Sequence, residues 1–114
     1  MILFKPVQWT LETAREEVHR VQMAVRQFAY HVALGGGVLN NGESCKDLDL
    51  YFLPLDTGVE PDPIGLITFL ETLWGPSSNL VDPSYGPSLC YEHKLQFNTP
   101  RRIDAFVTPS RKAI

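Results

Sequence analysis

Two aspartates alternate with apolar residues in Asp47-Leu48-Asp49-Leu50-Tyr51-Phe52, ten residues beyond the glycine run Gly35-Gly36-Gly37. A strand sends alternate side chains to opposite faces, so Asp47 and Asp49 point one way while Leu48, Leu50 and Phe52 point the other. Two adjacent carboxylates repel, and each is costly to keep ionised. A divalent cation removes that repulsion, and hard cations such as Mg²⁺ take oxygen ligands. Glycines just upstream let backbone N–H groups approach a phosphate closely. The aspartate pair and the glycine run together point to a metal-plus-nucleotide site.

A third carboxylate comes from Arg102-Ile103-Asp104-Ala105-Phe106-Val107. Its odd-numbered residues are all apolar, so Asp104 faces away from Ile103, Ala105 and Val107. If this strand lies beside the one spanning 47–53, Asp104 joins Asp47 and Asp49 on one face. Three carboxylates can hold two Mg²⁺ ions about 3.5–4 Å apart, one activating an attacking oxygen and one steadying a triphosphate.

The elements that must position these residues are readable from periodicity. Thr10 can cap a helix that begins at Leu11, and Leu11, Ala14, Val18, Val21, Val25 and Phe28 form one apolar stripe at three- and four-residue spacing. Glu12, Arg15, Glu16, His19, Arg20, Arg26 and Gln27 supply its wet face, with Glu16 and Arg20 spaced for an ion pair. A short strand, 30–34, then ends in the glycine run, and residues 38–46 read as a polar connection. The aspartate strand stops at Pro54. Asp62 and Pro63 cap and open a second helix, whose Leu66, Ile67, Leu70, Leu73 and Trp74 face one side before Gly75-Pro76 ends it. Residues 75–88 read as a loop. Leu89, Tyr91, His93, Leu95 and Phe97 alternate with polar residues as a half-buried strand. Asn98-Thr99-Pro100 turns the chain into the last strand. The expectation is a single α+β domain over residues 1–114, with a small mixed or antiparallel sheet of about four strands and two main helices on one face.

Composition narrows the partners. At 114 residues, 44% hydrophobic and 20% charged, the chain is sized for one core. A formal net charge of −3 excludes a large basic surface for sequence-independent nucleic-acid binding. No apolar run reaches the roughly 20 residues that span a membrane, and the segment 1–6 lacks a signal-peptide layout. Two cysteines, Cys45 and Cys90, are too few to define a disulfide or metal framework. The cytoplasm is the expected compartment.

The pattern Leu34-Gly35-Gly36, ten residues, Asp47-Leu48-Asp49-Leu50 and a later Ile103-Asp104-Ala105 resembles the nucleotidyltransferase superfamily related to DNA polymerase beta. Gly35-Gly36-Gly37-Val38-Leu39 with Lys46-Asp47-Leu48-Asp49-Leu50-Tyr51 is most similar in wording to the head domain of class II tRNA CCA-adding enzymes and bacterial poly(A) polymerases. The resemblance covers roughly residues 30–53 and 102–107. It implies a minimal nucleotidyltransferase fold and metal-dependent transfer of a nucleoside monophosphate from an NTP, with Mg²⁺ or Mn²⁺ and pyrophosphate release. Asp47, Asp49 and Asp104 would be the metal ligands, with Asp104 the general base for the acceptor hydroxyl. Gly35, Gly36 and Gly37 would cradle phosphate, and Asn40, Lys46 and Arg102 join them as nucleotide-binding candidates. The acceptor would be RNA, a protein or a small molecule, held by this domain, by a homodimer or by a separate partner. Where the tRNA-directed enzymes carry Arg-Asp, this chain has Leu39-Asn40.

Other readings of the same residues stay open. The glycine run can simply end a strand, Asp47 and Asp49 can be the exposed side of an amphipathic strand, and Asp104 can be a solvated aspartate of an edge strand. Tyr51 can stack on a base or pack against the protein. Arg101, Arg102, Arg111 and Lys112 can meet a triphosphate or RNA, or form a solvated turn and tail. The alternative function is a nucleotidyltransferase-fold module without chemistry, acting as an antitoxin-like or regulatory partner.

Overall fold

A computed structural model describes residues 7–56, 58–79, 93–99 and 101–108. Chain order begins with β1 (Trp9–Thr10) and α1 (Leu11–Gln22). Thr10 caps α1 reciprocally with Thr13: the Thr13 N–H donates to Thr10 Oγ1 at 3.1 Å and the Thr10 N–H to Thr13 Oγ1 at 2.9 Å. The apolar stripe continues to Phe28 as expected, but the α-helix does not. After Met23 the chain tightens into a 3₁₀ segment, Ala24–Phe28, and Ala29 closes it in the left-handed region at φ 63°.

β2 (Tyr30–Gly35) follows, and Gly36 turns at once into α2 (Gly36–Asn41). This short helix stands where a polar connection was expected. Its Val38 is fully buried, and Gly42 ends it by donating its N–H to the Val38 carbonyl at 2.8 Å. β3 (Glu43–Ser44) pairs with β1 as a two-stranded antiparallel ribbon. β4 (Leu48–Pro54) is the aspartate strand. α3 (Pro63–Trp74) starts as read from the sequence: Asp62 Oδ1 accepts from the Gly65 N–H at 2.9 Å, and Gly75 ends the helix.

β5 (Ser77–Asn79), β6 (His93–Thr99) and β7 (Arg101–Val107) complete the described elements. β5 lies in the segment expected to be a loop, so among the described residues the main sheet has five strands instead of about four. The loop reading over 80–88 and the readings placed on Leu89, Cys90, Tyr91, Arg111 and Lys112 fall outside the described residues, as does the Pro100 position of the last turn.

The sheet order is β2-β4-β7-β6-β5, with β4 and β7 parallel and every other neighbouring pair antiparallel. The architecture is therefore α+β with a mixed sheet. Strand alternation divides that sheet cleanly. Leu48, Leu50 and Phe52 of β4, Leu95 and Phe97 of β6, and Ile103, Ala105 and Val107 of β7 join Ala14, Val21, Leu66, Leu70 and Trp74 of the two long helices in one core. Fully burying an aliphatic or aromatic side chain stabilises the fold by about 1.5–3 kcal/mol each. The residues between them turn to the other face. Among the described residues, no helix is long and apolar enough to cross a membrane.

The two long helices are locked by a residue that the amphipathic stripe does not count. Glu17 is buried, accepts the Trp74 indole N–H at 2.6 Å through Oε1, and pairs with Arg20 at 2.9 Å. Glu17 rather than Glu16 is thus the partner of Arg20. Its position, three after Ala14 and four before Val21, puts it on the buried stripe, where only a hydrogen-bonded carboxylate is tolerated.

Candidate metal centre

Sheet register builds the site. Gly35 of β2 lies opposite Asp49 of β4, Asp49 opposite Asp104 of β7, and Asp104 opposite Gln96 of β6. Residues in register share a face, so one row across the sheet reads Gly35, Asp49, Asp104, Gln96 on the side away from the helices. Asp47, two residues before Asp49 and just ahead of β4, adds its carboxylate to the same cluster. One carboxylate oxygen from each of Asp47, Asp49 and Asp104 lies within 4.8 Å of the others. The conditional placement of Asp104 beside β4 is met, because β4 and β7 are direct neighbours.

Burial and mutual charge shape the three carboxylates. Asp104 is 3% exposed, while Asp47 and Asp49 are half-buried. Burial, followed by the negative charges of Asp47 and Asp104, pushes the Asp49 carboxyl up to about 6. Burial also raises Asp47, reinforced by its contact with Asp104 and opposed by the charges of Arg102 and Lys46. Without a divalent cation, Asp47 and Asp49 resist full ionisation. Their donor set is all oxygen, which fits a hard divalent cation.

Gly36 makes room for this arrangement. Its φ is +65°, and a Cβ built there would overlap the Asp49 carboxylate. The glycine therefore serves the turn and the close approach of a metal-ligand candidate at once. Gly35 serves differently: a Cβ there would strike the Tyr51 ring. Gly37 lies on the far side of the turn and lines a cleft of about 420 Å³ with Val7, Asn41, Glu43, Ser44 and Cys45.

The remaining candidates separate. Lys46 is exposed and close enough to lower the Asp47 pKa by its charge. Asn40 is exposed on α2, and its neighbour Asn41, not Asn40, lines the cleft. Arg102 is the cation inside the cluster. Its Nε donates to Asp104 Oδ1 at 3.0 Å and its Nη2 to Oδ2 at 3.3 Å, with Asp47 Oδ2 3.8 Å from Nε. The hydrogen bonds to Asp104 raise the Arg102 pKa further above its ordinary value. Arg101 is tied elsewhere: its guanidinium lies 4.0 Å from the Trp9 ring centre and donates to the Gln8 carbonyl at 3.0 Å.

No protein-family model matches the chain significantly, nor does any curated protein or solved structure.

Two features escaped the sequence reading. Ser44 Oγ accepts from the Lys46 N–H at 3.1 Å and the Asp47 N–H at 3.2 Å, fixing the approach to the first aspartate. The signal was a serine two and three residues before those amides, a common local turn. Beside the acidic row runs a second row of Tyr51, Phe106 and Lys94. Tyr51 stacks on Phe106 at 4.6 Å, with Lys94 Nζ 5.3 Å from the Phe106 ring centre. Of the two roles open to Tyr51, packing against the protein is the one the geometry displays.

Proposed function

We propose that this chain is a minimal metal-dependent nucleotidyltransferase domain that moves a nucleoside monophosphate from an NTP to an acceptor hydroxyl. The observation that carries the reading is the meeting of Asp104 with Asp47 and Asp49, more than fifty residues earlier, with one oxygen of each within 4.8 Å, beside a glycine turn that yields space to Asp49. An acidic cluster built into a sheet face and fitted against a glycine differs from acids scattered on a solvated surface.

Asp47, Asp49 and Asp104 would hold Mg²⁺ or Mn²⁺, which when bound supplies positive charge to the triphosphate and lowers the cost of ionising the acceptor hydroxyl. The chain's own residues do the rest by positioning. Ser44 and the β4–β7 pairing fix the three carboxylates. The Gly35–Gly37 turn presents backbone beside Asp49 for phosphate contact, and exposed Lys46 offers a cation at the same rim. Asp104 accepts the hydroxyl proton, the acceptor oxygen bonds to the α-phosphorus, and the bond to the β-phosphate oxygen breaks to release pyrophosphate.

A second reading, a nucleotide- or partner-binding module without chemistry, is favoured by one observation. Leu39, at the place where tRNA-directed enzymes carry arginine, is 57% exposed and apolar, and Asn40 beside it brings no charge. The two readings part in one experiment. NTP labelled at the α-phosphate, incubated with Mg²⁺ and total RNA and protein, yields Asp49-dependent labelled acceptor if transfer occurs. NTP binding with no label transferred and no pyrophosphate released selects the module. The acceptor class follows from whether nuclease or protease removes the label.

A further inference from the structure

We propose that Arg102 is a built-in counter-ion that the divalent cation displaces, and that its release couples metal entry to capture of a phosphate oxyanion. The inference rests on the metal reading above. Arg102 occupies both oxygens of Asp104 through Nε and Nη2, at 3.0 and 3.3 Å, and approaches Asp47 Oδ2 at 3.8 Å. One side-chain cation thus bridges a carboxylate of β7 and one at the entry to β4. A metal shared by those carboxylates and an arginine fork on the same oxygens compete for the same negative charge.

The rest of Arg102 is held so that only the side chain need move. Its carbonyl accepts the Trp9 indole N–H at 2.9 Å, and its backbone pairs with Asn98 of β6. The side chain itself is 31% exposed, which leaves a path to solvent. Once displaced, the guanidinium stays tethered at the rim where Lys46 also lies, and both are suited to a phosphate oxyanion. Metal and anion then strengthen each other's binding by the same factor. Arg102 acts in this scheme as a positioning residue whose partner changes with metal occupancy.

The side-chain Nε–H of Arg102 reports the exchange directly by ¹⁵N–¹H NMR on the wild-type chain. Mg²⁺ alone is expected to move this resonance away from its hydrogen-bonded position, together with the Asp47, Asp49 and Asp104 amides. Inorganic pyrophosphate is then expected to move it again with Mg²⁺ present, and to leave it unchanged without Mg²⁺. Amide shifts at the three aspartates with Arg102 unmoved overturn this inference and leave the metal site standing. No Mg²⁺ shift at any of them overturns both. A Mn²⁺ titration gives the complementary result: Arg102→Met is expected to bind Mn²⁺ roughly tenfold more tightly than wild type. Arg102→Lys, which keeps the charge without the fork, should fall between them. Equal or weaker Mn²⁺ binding by Arg102→Met would show that the arginine supports the site rather than competing for it.

Discussion

The two faces of β4 and β7 use the same backbone for opposite ends. On one face Leu48, Leu50, Phe52, Ile103, Ala105 and Val107 are all fully buried under the helices. On the other, Asp49 and Asp104 lie in direct register and repel. Stability is concentrated on the first face, and the strain of crowded charge is confined to the second. Period-two alternation can anchor a mutually repulsive pair, because Asp49 sits between buried Leu48 and Leu50 and Asp104 between buried Ile103 and Ala105.

The sharpest way to break the contrast is to damage the covered face. Phe52→Ala should lower stability by about 3–5 kcal/mol, measured by denaturant unfolding. Asp49→Asn, three residues away on the other face, should leave metal-free stability equal or improved. It should instead reduce label transfer by roughly 10²–10³-fold or more, a loss confined to function. A comparable stability loss in both variants would erase the distinction between the faces.

Gly36→Ala tests the junction. The added Cβ meets a left-handed φ and the Asp49 carboxylate, so stability should fall by about 1–2 kcal/mol. Mn²⁺ affinity should fall as well, because Asp49 is the group pushed aside. A smaller effect follows from pH. The folded Asp49 carboxyl titrates near 6 against an ordinary 3.8, so the folded chain retains a proton that the unfolded chain gives up. Its contribution to stability is fully present below about 4 and is lost as pH rises through about 6. The melting temperature of Asp49→Asn minus that of wild type should therefore grow between pH 4 and pH 7 without metal, and metal affinity should weaken as pH falls below about 6. The smallest effect belongs to the far end of the helical layer: Arg20→Ala should cost under about 1 kcal/mol, since Arg20 is 55% exposed.

Much of this arrangement was legible in the sequence, for physical reasons. Apolar residues at strict alternation announce which face of β4 and β7 is buried, so the orientation of the three aspartates follows directly. Thr10, Asp62 and Pro63 mark helix starts by local hydrogen bonding, which needs no tertiary context. What was not legible depends on partners distant in sequence. α2 (Gly36–Asn41) has in Leu39 a single strong helix former among glycines, Val38 and asparagines, and is held by burial of Val38 and closure at Gly42. β5 has the sequence Ser-Ser-Asn, without an apolar signal, and forms against the edge of β6. Arg102 read as a phosphate ligand in sequence, but its guanidinium is engaged by an aspartate two residues along the same strand face.

The most direct test of the acidic face as a metal–nucleotide site is thermal stability titrated with Mg²⁺ and each of ATP, CTP, GTP and UTP. Wild type should show a saturable rise in melting temperature with at least one nucleotide, and only when metal is present. The double variant Asp47→Ala with Asp49→Ala should fold and show none. An equal rise in both proteins, or no rise in the wild type with any nucleotide, would contradict the account.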